Sequence, residues 1–365
     1  MAPPPRAPPV LMEEMIEEIL VRIPPNDPAS LLRSALVCKP WCRLISAQDF
    51  RRRFRVFHRT PPMLGFLCNI GKRSRFIPTS SFRPPHGDQR LWFTLDARHG
   101  RVLLHTMGRK AGNPRGNLFS IWDPITGERR VLPALGEYMD GNTGDTWGAV
   151  VLCACHGAYG GTCDLHDCHR GPFLVVIIST YGQQINAYVY SLETGVGVES
   201  TSQLQHLNPN DYFNRGEPKA LVGNALYFVF GTGTKLLKYD LVTQEMSMFE
   251  PPICFANKRV VVTNTKEGQL GFAIVRDLKL YLWSREAGPH GDVGWILRRV
   301  IELEKLLPIG AFLRMEPYVV AYVDVSDVFF VLTNDGLYTV DIKSSHATKI
   351  PKITWFTGRT GFFPT

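Results

Sequence analysis

One short pattern returns five times after residue 100, and it limits the fold more than any other feature of the chain. An apolar strand ends in Asp or Ser, a turn built on Thr or Gly follows, and a second strand begins. The copies lie at 118–128, 187–195, 237–245, 280–285 and 337–344, and Trp122-Asp123-Pro124-Ile125-Thr126-Gly127 shows the form most fully. Asp and Thr side chains bond to nearby backbone N–H groups, and glycine accepts the positive φ of a tight turn. These residues are therefore read as structural and not as catalytic. Each copy is preceded by another β-branched or aromatic run, at 100–104, 172–178, 225–229, 270–275 and 328–332, so the unit is a small antiparallel sheet. Successive copies begin about 40 to 70 residues apart, in the range of propeller blades with loop insertions. Such blades cannot bury both faces alone, and radial stacking into a β-propeller of about six blades is the arrangement that buries them. Helical periodicity is absent from this region except around 296–307.

The N-terminal stretch at 10–54 is of a different kind. Met12, Met15, Ile16, Ile19, Leu20 and Ile23 make an apolar stripe at helical period, with Glu13, Glu14, Glu17 and Glu18 on the other faces. Pro24-Pro25 stops that helix, and Asn26-Asp27-Pro28 restarts the chain with an acidic N-cap and a proline at the first helical position. A second helix carries Leu31, Leu32, Ala35 and Leu36; Lys39-Pro40 then opens a third with Trp41, Leu44 and Ile45. So small a unit buries only a modest core and gains stability by docking on a partner.

These residues resemble an F-box. The family pattern runs Leu-Pro, a Glu-rich apolar helix, Arg-Leu-Pro, Asp-Leu and Val-Cys-Lys-x-Trp; here it reads Leu11-Met12, the helix at 14–20, Arg22-Ile23-Pro24, Asp27-Pro28 and Val37-Cys38-Lys39-Pro40-Trp41. Met12 stands where the family usually has proline, and Pro28 where it usually has leucine. The resemblance implies docking on the Skp adaptor, and through it on cullin, by Leu11, Met12, Ile16, Leu20, Pro24, Leu32, Val37, Lys39 and Trp41. The later region resembles the kelch-like, F-box-associated domain of large plant F-box families, notably at 97–104 and 122–127, without the double glycine of well-formed kelch repeats. Together these imply an α+β multidomain chain: a small all-α F-box, then a predominantly antiparallel, all-β kelch-like propeller. The expected divisions are a Pro-rich disordered tail at 1–9, the F-box at 10–58, a linker with irregular loops at 59–90, and the propeller at 91–365.

The implied function is that of a non-catalytic substrate-recognition subunit of a ubiquitin ligase, with an unidentified protein target. Composition agrees with an ordinary globular chain, 44% hydrophobic over 365 residues. The Pro-rich start is no secretory signal, and the longest apolar run, at 173–178, falls far short of the ~20 residues of a membrane span. The expected location is cytoplasm or nucleus, with reduced thiols. The net charge of +8 and the run Arg51-Arg52-Arg53-Phe54-Arg55 raise nucleic acid as a partner, but arginines at the end of a helical unit are better read as a solvated face.

The remaining chemistry lies at 153–169. Seven thiol or imidazole groups fall within these seventeen residues, and Cys155, Cys163, His166 and Cys168 form a candidate zinc set, although the spacing matches no known finger. The competing reading is a loop whose cysteines flank an apolar strand. At 231–235, Gly-Thr-Gly-Thr-Lys is only a fragment of a phosphate-binding loop and reads as a hairpin turn. A propeller enzyme, or a zinc-dependent ligand-binding protein with a helical cap, is the alternative function. Loop aromatics Trp147, Tyr159, Tyr181, Tyr212 and Phe213 are candidate anchors for a target.

Overall fold

The computed structural model describes residues 12–25, 27–58, 63–70, 73–80, 82–107, 117–133, 146–154, 171–181, 184–201, 212–213, 215–231, 235–253, 258–288, 292–323, 326–350 and 362–364. The chain divides into two compact units, Met1–Leu64 with Pro78–Phe82, and Gly65–Ile77 with Arg83–Thr365.

The first unit holds helices α1 (Glu13–Val21), α2 (Pro28–Ala35), α3 (Lys39–Ser46) and α4 (Gln48–His58). Asp27 caps α2: the Ser30 N–H donates to its Oδ1 at 3.3 Å and the Ser30 hydroxyl to Oδ2 at 2.6 Å. That hydroxyl bond is the main reason the Asp27 carboxyl is held below the usual carboxylate range. Leu20, Val21 and Phe50 are buried at the centre, with Ile16, Ile23, Leu31, Trp41, Leu44, Ile45 and Phe54 packed around them.

The second unit is a ring of six four-stranded antiparallel sheets. Blade one pairs β1 (Gly65–Ile70), β2 (Arg73–Pro78) and β3 (Asp88–Arg90) with β24 (Phe362–Pro364). Blade two is β4 (Phe93–Arg98), β5 (Arg101–Met107), β6 (Asn117–Trp122) and β7 (Arg129–Val131). Blade three is β8 (Trp147–Cys153), β9 (Phe173–Tyr181), β10 (Gln184–Ser191) and β11 (Gly197–Thr201). Blade four is β12 (Ala220–Val222), β13 (Ala225–Phe230), β14 (Lys235–Asp240) and β15 (Met246–Phe249). Blade five is β16 (Val260–Asn264), β17 (Leu270–Arg276), β18 (Lys279–Ala287) and β19 (Val293–Glu302). Blade six is β20 (Tyr318–Val323), β21 (Val328–Thr333), β22 (Gly336–Asp341) and β23 (His346–Lys349).

Successive side chains of a strand point to opposite faces, and both faces of a blade are covered by its neighbours. This is why the middle strands read as continuous apolar runs instead of alternating ones. In β9, Phe173, Val175 and Ile177 join a core with blade two, whereas Val176 and Ile178 join a core with blade four. In β17, Ala273 and Val275 face blade six, and Phe272 and Ile274 face blade four. The ring closes where β24 pairs antiparallel with β1, Leu67 opposite Phe363, and lies against both β4 and β20.

The recurring turn joins the third and fourth strands of a blade. Asp123 Oδ1 accepts from the N–H groups of Ile125 (2.8 Å) and Thr126 (3.2 Å), Thr126 Oγ1 accepts from Glu128, and Gly127 takes φ +78°. Asp240 repeats this with Val242, Thr243 and Glu245, Ser191 and Thr194 vary it, and Asp341 accepts from Ser344 at 2.9 Å.

Three expectations need correction. The segment at 59–90, read as linker and loops, contains β1, β2 and β3, so the propeller begins well before residue 91. Its strands are polar in part, and the strand that completes the sheet comes from the far end of the chain. The helical periodicity at 296–307 belongs to β19 and a short 3₁₀ turn at Leu303–Lys305. The fourth copy of the pattern, in β18, lacks the Asp-x-x-Thr turn; there the Gly288 N–H donates to the Asp292 carbonyl at 2.6 Å.

Candidate functional site

The helical unit leaves large apolar side chains exposed on α1 and at the end of α2 that its own core does not use. Met12, Met15 and Ile19 lie along one side of α1, and Leu32, Leu36 and Val37 at the end of α2; all six are exposed, Leu36 to 84%. The opposite, acidic side of α1 is tied to α4: Arg53 reaches Glu17 at 3.2 Å and also pairs with Glu18, and a His58 ring nitrogen lies 2.7 Å from the Val21 carbonyl. Part of the arginine run is thus occupied within the unit, and Arg51 donates to the Ser46 carbonyl at 2.8 Å.

Of the residues expected to dock, Met12, Pro24, Leu32, Val37 and Lys39 are exposed. Ile16 and Trp41 are half-buried against the core. Leu20 is a correction: at 2% exposure it sits with Val21 and Phe50 inside the unit and is not available to a partner. The helix is apolar over more than half its girth, so periodicity alone does not say which stripe faces inward. Leu11 lies outside the described residues, as do Cys155, Cys163, His166 and Cys168. Among the described residues no group of three or more His, Cys, Asp or Glu side chains is placed to hold a metal. Sequence reasoning missed Leu36, for which the signal was a second apolar residue directly before Val37, and it did not single out Met15 and Ile19 as surface residues.

In the propeller, a polar clasp ties blades two, three and four. Arg98 Nε donates to Asp96 at 3.1 Å, Asp96 Oδ2 accepts from the Val151 N–H at 3.1 Å, and an Arg98 Nη2 donates to the Lys219 carbonyl. The Lys219 ammonium donates to the carbonyls of Arg215 (2.9 Å) and Leu95 (3.2 Å), and burial pushes its pKa down to about 8. The Arg215 guanidinium stacks over Trp147, 4.2 Å from the ring centre. With its ammonium directed at two carbonyls, Lys219 is a structural fastener.

Two proposed loop anchors are core residues instead. Trp147 opens β8 and packs edge-on against His105, with ring centres 4.8 Å apart, and Phe213 bridges to Phe230 and is buried. Tyr212 is half-buried, Tyr181 ends β9, and Tyr159 lies outside the described residues. Lys235 opens β14 after the positive-φ Gly231, as a hairpin requires.

Two family models match the chain. One, described as the F-box domain, matches residues 11–53; the other, described as F-box protein AT5G49610-like, beta-propeller, matches residues 163–359. No curated protein matches it. Among solved structures, the chain is similar to TolB from Acinetobacter baumannii (9% identity, 88% of this chain and 72% of that one, TM-score 0.41). It is also similar to the WD40 domain of SCAP from fission yeast (11% identity, 72% and 53%, TM-score 0.37). A third is prolyl oligopeptidase B from Galerina marginata (11% identity, 86% and 44%, TM-score 0.37). Likenesses at these scores carry no functional argument.

Proposed function

The chain belongs to the F-box protein AT5G49610-like β-propeller family, and from that premise we propose that it is the substrate-recognition subunit of a Skp–cullin–F-box ubiquitin ligase. The observation that carries this reading is the apolar surface of Met12, Met15, Ile19, Leu32, Leu36 and Val37, on the very module that matches the F-box domain. Six large apolar side chains left exposed on so small a unit call for a protein partner. We assign it to the Skp-family adaptor, with Lys39, Pro24 and the exposed part of Trp41 at its margin. Leu20 and Ile16 support the surface from beneath.

The proposed contribution is proximity. The propeller holds a protein target while the docked ligase brings a charged conjugating enzyme to it, which raises the effective concentration of a target lysine without any bond-making by this chain. The proposed setting is the cytoplasm or nucleus; no helix among the described residues is long and apolar enough to cross a membrane.

The test is capture of a purified Skp-family adaptor by the full chain. Wild type should retain it, and Leu32→Asp combined with Val37→Asp should lower retention at least tenfold with an unchanged melting curve, because a few central contacts dominate such interfaces. Leu20→Ala serves as the contrast, lowering retention only together with stability. Failure of the folded wild type to retain the adaptor would overturn the reading.

A further inference from the structure

Each blade ends in an outer strand with one free edge, and in five blades that strand is short: three residues in β3 and β7, four in β15 and β23, five in β11. Strand β19 is ten residues long, and Val293, Ile296, Leu297 and Val300 on it are all exposed. A long apolar edge is a template for pairing with another strand, and proteins usually shorten, bend or charge such edges. Here the bulge at Arg298 bends only the second half of β19 and leaves 293–297 in regular register with β18.

The hairpin fixes which backbone groups of that half face outward. The Asp292 carbonyl accepts from the Gly288 N–H at 2.6 Å, so Asp292, Gly294 and Ile296 turn their backbone groups toward β18. Val293, Trp295 and Leu297 therefore turn their N–H and C=O groups to the free edge. Side chains alternate as well. Gly294, Ile296 and Arg298 share one face, on which Arg298 donates to Ser284 (2.9 Å) and Glu286 (2.7 Å), and Val293, Trp295 and Leu297 share the other.

Set antiparallel against a copy of itself, about a two-fold axis through Trp295, the stretch 292–298 is its own complement. Val293 meets Leu297, and Ile296 meets Gly294, where nothing lies within 4 Å of a Cβ position. In this register the outward backbone groups of one copy meet those of the other, and Asp292 meets Arg298 at both ends. Asp292 is exposed and makes no ion pair among the described residues. The Arg298 side chain is 55% exposed, and its guanidinium keeps donors beyond those it uses on Ser284 and Glu286. Opposite charges directly across a strand pair stabilise it, and like charges oppose it.

We propose that this edge pairs two copies of the chain, β19 antiparallel to β19, in an isologous dimer. The pairing uses blade five alone and stands independently of the adaptor reading.

Sedimentation equilibrium of the full chain at about 100 μM, which populates even a weak association, is the test. Wild type should be dimeric, and so should Asp292→Glu. Leu297→Lys places a charge on the edge, and Asp292→Arg sets like charges opposite each other at both ends. Each should weaken association at least tenfold with an unchanged melting curve, because both residues are exposed. Leu32→Asp combined with Val37→Asp should still dimerise, which separates this edge from the apolar side chains of the helical unit. A monomeric wild type, a dimer that Leu297→Lys and Asp292→Arg leave intact, or one lost with the helical variant would overturn the proposal.

Discussion

Lys219 is only 6% exposed, and its charge is buried where blades two, three and four meet. Burial is the largest influence on it, opposed by the carboxylates of Asp96 and Glu217 and reinforced by Arg98, and the result is a pKa of about 8. In the unfolded chain a lysine titrates near 10.4. Between these values the unfolded state holds more protons than the folded one, so stability rises with pH across that window. Below about pH 8 both states are protonated and the full cost of the buried charge is present. Lys219→Met removes the titrating group and keeps most of the side-chain volume. Urea unfolding at pH 7.5 and pH 10.5 should therefore show wild type gaining about 2–3 kcal/mol relative to Lys219→Met, at about 1.4 kcal/mol per pKa unit. Equal pH dependence of the two proteins would show that this lysine is not desolvated as described. None of this was legible in the sequence. Lys219 stands in Glu217-Pro218-Lys219 beside the Glu217 charge and the Arg215 carbonyl, but Leu95, Asp96 and Arg98, which help bury it, reach it only through the ring.

At the scale of elements, legibility followed the distance over which the structural cause acts. The turns at Asp123 and Asp240 were readable because acceptor and donor lie within three residues of each other. Strands β5, β9, β13, β17 and β21 were readable because both of their faces are buried. Strand β19 was misread through its bulge: Trp283 faces Leu297 and Leu282 faces Arg299, so Arg298 is an extra residue. The bulge shifts the alternation by one and leaves Ile296-Leu297 and Val300-Ile301 as pairs four apart, which imitates a helix. Blade one was missed because β24 is a nonlocal partner. Phe363 in β24 is 4% exposed opposite Leu67, and Phe363→Ala should cost about 3–5 kcal/mol in chemical denaturation, as for other buried aromatic truncations. A cost below about 1 kcal/mol, within the range of surface substitutions, would show that this strand does not hold the ring closed.

The whole molecule joins a helical unit with a surplus apolar surface to a ring whose own apolar residues are largely spent between blades. The division was legible in outline, since helical period gives way to strand runs and tight turns. Which apolar stripe of α1 faces outward was not, because the answer depends on where Phe50 of α4 packs. On the proposed function the adaptor meets the exposed side chains of Met12, Met15, Ile19, Leu32, Leu36 and Val37, and the propeller takes the target. Amide hydrogen exchange of the full chain, with and without a Skp-family adaptor, tests it most directly. Slowed exchange is expected in α1, in α2 and at the start of α3, with blades one to six unchanged. Protection confined to the propeller, or absent from the helical unit at saturating adaptor, would contradict it.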